Sequence, residues 1–169
     1  MDAAELRATQ APLKERYKSD PTAAIITLRA KGSIEHEGIA CKLETGRALA
    51  VAGLHPATGG SGLELCSGDM LLEALVACAG VTLKSVATAT EVALKAGLVT
   101  AEGDLDFRGT LGVDKQAPVG FAEIRLRFDV DTEAPQDKLD LLLKLTERYC
   151  VVYQTIKNGP KVSVTMQRI

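Results

Sequence analysis

Tryptophan is absent from this chain of 169 residues, and other aromatic residues are scarce, with three tyrosines and three phenylalanines. An excess of charge of either sign is absent too, because 20 basic and 22 acidic side chains leave a formal net charge of -2. Proteins that bind nucleic acids rely on a basic surface or on stacking aromatic rings. These two absences argue against a nucleic-acid partner.

The chain shows no basic, apolar leader over residues 1–5, so no signal peptide is predicted. Its longest apolar stretch, Met70 to Leu83, contains Glu73 and is shorter than the roughly 20 residues that cross a bilayer. We therefore expect a soluble, cytoplasmic protein with no membrane partner. In a reducing compartment the four cysteines should rest as thiols unless one pair has a redox function.

Metal and phosphate motifs are missing as well. The chain has no Cys-x-x-Cys motif, and His36 and His55 have no ligand-like spacing to each other or to a cysteine, so neither a zinc site nor a cofactor is predicted. The glycine-rich segment 59–62 lacks the Gly-Lys-Ser/Thr of a phosphate loop. A cysteine hydrolase would need His55 within hydrogen-bond reach of a thiol.

The chain divides into an N-terminal arm or short helix over residues 1–21 and one domain over residues 22–169, with the boundary at Asp20-Pro21. Short apolar segments separated by glycines predict strands in an antiparallel meander. These strands cover residues 25–30, 39–43 and 48–52.

Two helices and further strands are predicted beyond the meander. Ser67 is a good N-cap for a helix that is apolar almost all round from Met70 to Leu83, which is typical of a buried central helix. The segment 85–97 continues helically, with a break near the threonine-rich residues 87–91. Pro135 opens a second helix that carries Cys150 on its apolar face and ends at Asn158-Gly159-Pro160.

The strands of this second half are expected over residues 103–113, 121–131 and 162–166. Over 121–131 polar and apolar residues alternate almost without exception, which indicates one wet and one packed face. The order of strands and helices predicts an α+β fold.

The cysteines carry the only chemistry that the sequence favours. Cys78 and Cys150 both lie on apolar helical faces, where they are either a redox pair or simply core residues. Cys66 lies next to a helix start, whose unpaired amides lower thiol pKa values, and it is a rival nucleophile. Cys41 lies in a short strand and is expected to pack.

Taken together, these features resemble the OsmC/Ohr family of thiol-dependent hydroperoxide reductases and their relatives. The resemblance covers residues 22–169 and is most specific at Ala77-Cys78 and at Arg148-Tyr149-Cys150. It implies an OsmC-like α+β fold in which antiparallel sheets wrap around the central helices of an intertwined homodimer, with the active sites at the subunit interface.

The same resemblance implies that Cys78 is the peroxidatic cysteine and Cys150 the resolving one. The leading hypothesis is a thiol-dependent peroxidase that reduces organic hydroperoxides and is reset by an external dithiol. The alternative is a non-catalytic protein that binds a lipid-like small molecule on the same dimeric scaffold.

In that family an early arginine, paired with a glutamate at the start of the central helix, holds the thiolate. Arg29 and Arg47 are both candidates here. The glutamate position holds Gly68, and the neighbouring Asp69 is one methylene shorter. The second cysteine is followed by Val151 where proline is common. These departures predict weak activity or an altered substrate, and Gly68 favours the binding-protein alternative.

Overall fold

A computed structural model describes residues 2–5, 8, 10–11, 19, 31–34, 40–44, 49–112 and 114–168. The predicted strand over residues 25–30 lies outside the described residues. Within the arm, residues 3–5 are helical. Asp2 and Glu5 exchange reciprocal bonds at this helix start, each main-chain N–H donating to the other's carboxylate at 2.8 Å.

The first sheet is the predicted antiparallel meander with one short strand added. The strands expected over 39–43 and 48–52 are confirmed within a residue or two. The added strand runs parallel to the third and leads directly into the long helix. In order across the sheet the strands are β1 (Lys31–Ile34), β2 (Ala40–Glu44), β3 (Leu49–Gly53) and β4 (Leu65–Cys66).

The long helix α1 spans Ser67–Ala89. Its N-cap is Cys66 and not Ser67, so the helix begins one residue earlier than predicted. It ends within the predicted break, where the Thr90 hydroxyl donates to the carbonyl of Val86 at 2.8 Å. The predicted helical continuation to residue 97 is wrong, because the chain is already in a strand from Ala96.

The second sheet pairs β5 (Ala96–Leu105) with β6 (Phe121–Asp131) in antiparallel register along their full lengths. The alternating strand over 121–131 is confirmed. Of the strand predicted over 103–113, residues 103–105 are confirmed as the end of β5. The prediction is wrong beyond Leu105, where the chain leaves the sheet and forms the short helix α2 (Phe107–Thr110). The Asp106 carboxylate accepts a hydrogen bond from the Arg108 amide at 3.0 Å and caps that helix.

The last predicted helix is two helices, α3 (Gln136–Tyr149) and α4 (Val151–Asn158). Cys150 separates them in an extended conformation, with ψ at 109°. The strand predicted over 162–166 is wrong for this chain. Residues 160–168 pair with no described strand, and Met166 is 100% exposed.

The core lies between α1 and the elements that contact it on one side, namely β5, α3 and α4. The buried apolar residues include Leu75, Ala79, Leu83, Val86, Ala87 and Leu142. The opposite side of α1 is uncovered, and Val81 is 73% exposed. The expectation of a helix buried all round is therefore wrong for the chain by itself, because no described residue forms a second layer on that side.

The helix α1 has 23 residues, which makes it longer than the apolar stretch from Met70 to Leu83. By length and composition alone, it is long and apolar enough to cross a membrane. Core helices of soluble proteins share this property. Here one face of α1 packs against a sheet and two helices, as a core helix does.

Candidate functional site

Folding brings Cys78 and Cys150 together. Cys78 lies near the middle of α1, and Cys150 lies at the junction between α3 and α4. Their thiols lie close enough for each to shift the pKa of the other. Cys150 is only 1% exposed, whereas Cys78 is half-buried. Within the chain, Cys78 is therefore the more accessible of the two residues.

The start of α4 lies beside both sulfurs. The first bond within this helix joins the Gln154 amide to the Cys150 carbonyl, at 2.9 Å. The three amides before Gln154 have no carbonyl acceptor inside the helix. They interact with the sulfurs instead: the Val151 and Val152 amides with Cys78, and the Val152 and Tyr153 amides with Cys150.

These interactions lower the pKa of Cys78. Burial is the largest single influence and acts in the opposite direction, because it disfavours the thiolate. The Val152 amide, the Cys150 thiol and the Val151 amide together outweigh it, with a further contribution from the Thr82 side chain. Cys78 is thus the more readily ionised sulfur of the pair.

Burial also has the largest effect on Cys150, and here it prevails and raises the pKa of the thiol. The hydrogen bond and the charge interaction with Cys78 raise it further, against the Tyr153 and Val152 amides. The pair therefore favours one arrangement, in which Cys78 is the thiolate and Cys150 is the protonated donor. This arrangement suits a nucleophile with a resolving partner.

Buried contacts hold both cysteine-bearing helices in place. Thr146, which is 1% exposed, donates from its hydroxyl to the Leu142 carbonyl at 2.8 Å and so leaves no unpaired polar group beside Cys150. The Thr82 hydroxyl donates to the Cys78 carbonyl at 2.7 Å. On α1, Leu75 and Ala79 are buried beside Cys78, so the pair has an apolar wall.

An apolar groove of about 500 Å³ begins one helical turn from each cysteine. Leu75 lies one turn before Cys78, and Glu147 and Tyr153 lie one turn either side of Cys150. A second groove of about 560 Å³ borders the other flank of α1. Its lining includes Val81, Thr82, Ser85, Leu145 and Tyr149.

Of the supporting residues proposed from the sequence, only Asp69 and Gly68 are among the described residues, and neither lies at this pair within the chain. Arg29 and Arg47 fall outside the described residues. Asp69 is exposed and precedes Cys78 by nine residues, which places it about 13 Å away along α1 and on the opposite side of the helix. Gly68 is a further residue away.

The rival cysteine sites are also separate from the pair. Cys66 lies twelve residues before Cys78, about 18 Å along α1, whereas disulfide-bonded residues lie within about 7 Å at their Cα atoms. The His55 Nδ1 accepts from the Ala57 amide at 3.0 Å, and its ring stacks on Phe107 with centroids 4.9 Å apart. Among the described residues, no hydrogen bond joins His55 to a cysteine. The Cys41 side chain falls outside the described residues.

The sequence did not point to the helix amides, because a main-chain N–H has no signature of its own. The one local signal is Val151-Val152, since two consecutive β-branched residues are poor helix formers in the middle of a helix. They would have marked a possible break directly after Cys150.

Comparisons with known proteins agree on the fold. Residues 60–165 match the protein family described as OsmC-like protein. No curated protein matches the sequence. The OsmC-like protein of Mycoplasma pneumoniae superposes with a TM-score of 0.65 at 14% identity, over 79% of this chain and 89% of that one.

Two structures named as organic hydroperoxide resistance proteins are also similar. The protein from Legionella pneumophila has a TM-score of 0.61 at 18% identity, over 80% of this chain and 92% of its own. The protein from Elizabethkingia anophelis has a TM-score of 0.62 at 14% identity, over 80% and 91%. At such identities the likeness establishes a shared fold.

Proposed function

The chain belongs to the OsmC-like protein family, and from this premise we propose that it is a thiol-dependent peroxidase that reduces organic hydroperoxides through Cys78 and Cys150. The observation that carries the proposal is the opposite perturbation of two touching thiols, with the pKa of Cys78 lowered and that of Cys150 raised. Structurally similar proteins that are named for organic hydroperoxide resistance support it.

In the first step the Cys78 thiolate attacks the terminal oxygen of the hydroperoxide. The S–O bond forms, the O–O bond breaks, and the alkoxide that leaves takes up a proton and departs as the alcohol. The peroxide gains two electrons, and Cys78 becomes a sulfenic acid. The Cys150 thiol is the neighbouring sulfur that can react with it.

In the second step Cys150 attacks the sulfenic sulfur. The S–S bond forms, and hydroxide leaves and combines with the Cys150 proton as water. An external dithiol then returns two electrons and two protons by thiol–disulfide exchange. The cycle needs no cofactor.

The substrate class follows from the apolar surroundings. Leu75 and Ala79 bury the inner side of the pair, and the nearby grooves are mainly apolar. An organic hydroperoxide can place its hydrocarbon part against such surfaces, whereas hydrogen peroxide gains nothing from them. The apolar walls therefore favour organic over small polar peroxides.

We further propose a cytoplasmic homodimer. The uncovered side of α1 carries Leu71 and Val81, and the adjoining residues Tyr149 and Val151 are also exposed. A second copy of the chain would bury these apolar groups. Asp69 could then act only on a thiol of the second subunit, with Arg29 or Arg47 as the cation beside it.

The binding-protein alternative rests on Gly68 in place of a glutamate. Gly68 lies about 15 Å along α1 from Cys78, so within the chain the missing carboxylate leaves the environment of this thiol unchanged. In a homodimer the carboxylate position bears on the second subunit, so this alternative stays a prediction.

The test is to treat the reduced protein with one equivalent of cumene hydroperoxide and to map disulfides by peptide mass spectrometry. We expect rapid formation of a Cys78–Cys150 bond with release of one equivalent of alcohol. Cys66→Ser is the matched control and should behave like the native protein. The proposal would be overturned if the native protein consumed no peroxide and both thiols stayed unchanged.

A further inference from the structure

One side of the N-terminal arm is turned away from solvent. The described residues between 3 and 11 are all helical, and of these Ala3 and Gln10 are half-buried while the others are exposed. Seven residues separate Ala3 from Gln10, which is about two helical turns, so the two side chains lie on one side of a helix.

Gln10 lines the groove of about 560 Å³ that borders the flank of α1. This volume lies within the range of about 300–1,000 Å³ that is typical of pockets for small organic molecules. The other walls come mainly from α1, through Val81, Thr82 and Ser85, and from α3, through Leu145 and Tyr149. The arm and two core helices therefore enclose one space.

The groove continues the side of α1 that carries Cys78. Thr82 and Ser85 follow Cys78 by four and seven residues, so the three side chains lie on one side of the helix. On α3, the lining residue Tyr149 directly precedes Cys150. A molecule in this groove therefore lies along the turns of helix next to the thiol pair.

The lining suits a hydrocarbon group. Val81, Leu145 and Tyr149 contribute apolar surface. The Thr82 hydroxyl donates to the main-chain carbonyl of Cys78 at 2.7 Å, so its proton is already paired. The alkyl or aryl part of an organic hydroperoxide gains from leaving water here, whereas hydrogen peroxide has no such part.

From this arrangement we propose that Gln10 is a specificity-determining residue, because it bounds the groove that receives the hydrocarbon part of the hydroperoxide. The proposal rests on the peroxidase function proposed above. The arm precedes residues 60–165, which match the family, so family membership assigns Gln10 no role. In the proposed homodimer, a second copy packed on Val81 and Tyr149 would cover the open side of the groove.

Tryptophan at position 10 tests this wall. Gln10→Trp places a bulky ring at the groove, and Ala8→Trp is the matched control, because Ala8 lies on the same arm and is exposed. The native chain has no tryptophan, so the fluorescence of the added residue reports its own surroundings. We expect emission at a shorter wavelength from Gln10→Trp than from Ala8→Trp, because its ring is shielded from water.

The functional readout is the labelling rate of Cys78, measured by peptide mass spectrometry with two reagents. N-phenylmaleimide carries an apolar ring, and iodoacetamide is small. One methylene in an apolar pocket changes discrimination by about 10–200-fold, so Gln10→Trp should slow N-phenylmaleimide at least about tenfold relative to Ala8→Trp. Iodoacetamide should label both variants equally. Equal N-phenylmaleimide rates in the two variants would overturn the inference.

A measurement on the native protein covers the case in which Gln10→Trp does not fold. Titration with 2-phenyl-2-propanol, the alcohol formed from cumene hydroperoxide, should shift the side-chain amide signals of Gln10 in NMR spectra. Nuclear Overhauser effects should connect the alcohol to Gln10 and to Ser85. Gln10 signals that do not respond to the alcohol would refute the inference equally.

Peroxide turnover separates this inference from the proposed function. Gln10→Trp should reduce cumene hydroperoxide more slowly than Ala8→Trp does, and hydrogen peroxide at the same rate. If the native protein consumes no peroxide while the N-phenylmaleimide rates differ, the peroxidase proposal fails and the role of Gln10 in the groove stands. If both variants reduce cumene hydroperoxide equally fast, the inference fails and the peroxidase proposal stands.

Discussion

Replacing Cys150 by serine separates the two roles proposed for it, as resolving sulfur and as hydrogen-bond donor to Cys78. The serine hydroxyl can still donate to the neighbouring sulfur, but it cannot form a disulfide. The site is 1% exposed, so burying a hydroxyl in place of a thiol costs about 1–3 kcal/mol. A hydrogen bond from the hydroxyl to Cys78 returns about 1 kcal/mol, so we expect the variant to fold with a net loss of about 0–2 kcal/mol.

The assay compares native protein and Cys150→Ser after exposure to excess organic hydroperoxide. The native protein should stop at the Cys78–Cys150 disulfide and recover both thiols on treatment with a dithiol. In the variant the sulfenic acid has no partner, so dimedone should trap it at Cys78, and without dimedone it should proceed irreversibly to the sulfinic acid. Cys66→Ser should resemble the native protein, since Cys66 lies about 18 Å along α1 from Cys78.

Two results would refute this reasoning. If Cys150→Ser still formed an intramolecular disulfide at Cys78, another cysteine would be the resolving one. If dimedone labelled Cys66 and left Cys78 free, the nucleophile would have been misassigned, and the lowered pKa of Cys78 would have no catalytic meaning.

Three further outcomes are expected. Folding lowers the pKa of Cys78, so the Cys78 thiolate stabilises the folded protein above the pKa of the unfolded thiol. This stabilisation is lost as the pH falls through the folded pKa. The free energy of unfolding in urea should therefore depend less on pH in Cys78→Ala. Leu142→Ala should cost about 2–5 kcal/mol in thermal or urea unfolding, and the exposed neighbour Leu141→Ala well below that. Val81→Glu should give a monomer in analytical ultracentrifugation if the uncovered face of α1 is the dimer interface; a Val81→Glu dimer would contradict that assignment.

Local patterns predicted the elements whose own residues specify them. The strand over 121–131 was recognised from its alternation, and α1 from its apolar run and its helix-start residues. The errors arose where partners far along the chain decide. Residues 96–102 are strand because β6 pairs with them, and 162–166 are not strand because no described strand lies beside them.

The sequence by itself determined that Cys78 lies in an apolar helix and that the fold is α+β, because both follow from the order and spacing of side chains. Only the tertiary structure decided that the helix breaks at Cys150 and that the freed amides of Val151 and Val152 face Cys78. A thiol's pKa depends on the charges, dipoles and burial around it, and here these come from helices more than 60 residues apart in the chain. Their meeting is a property of packing that no local pattern contains.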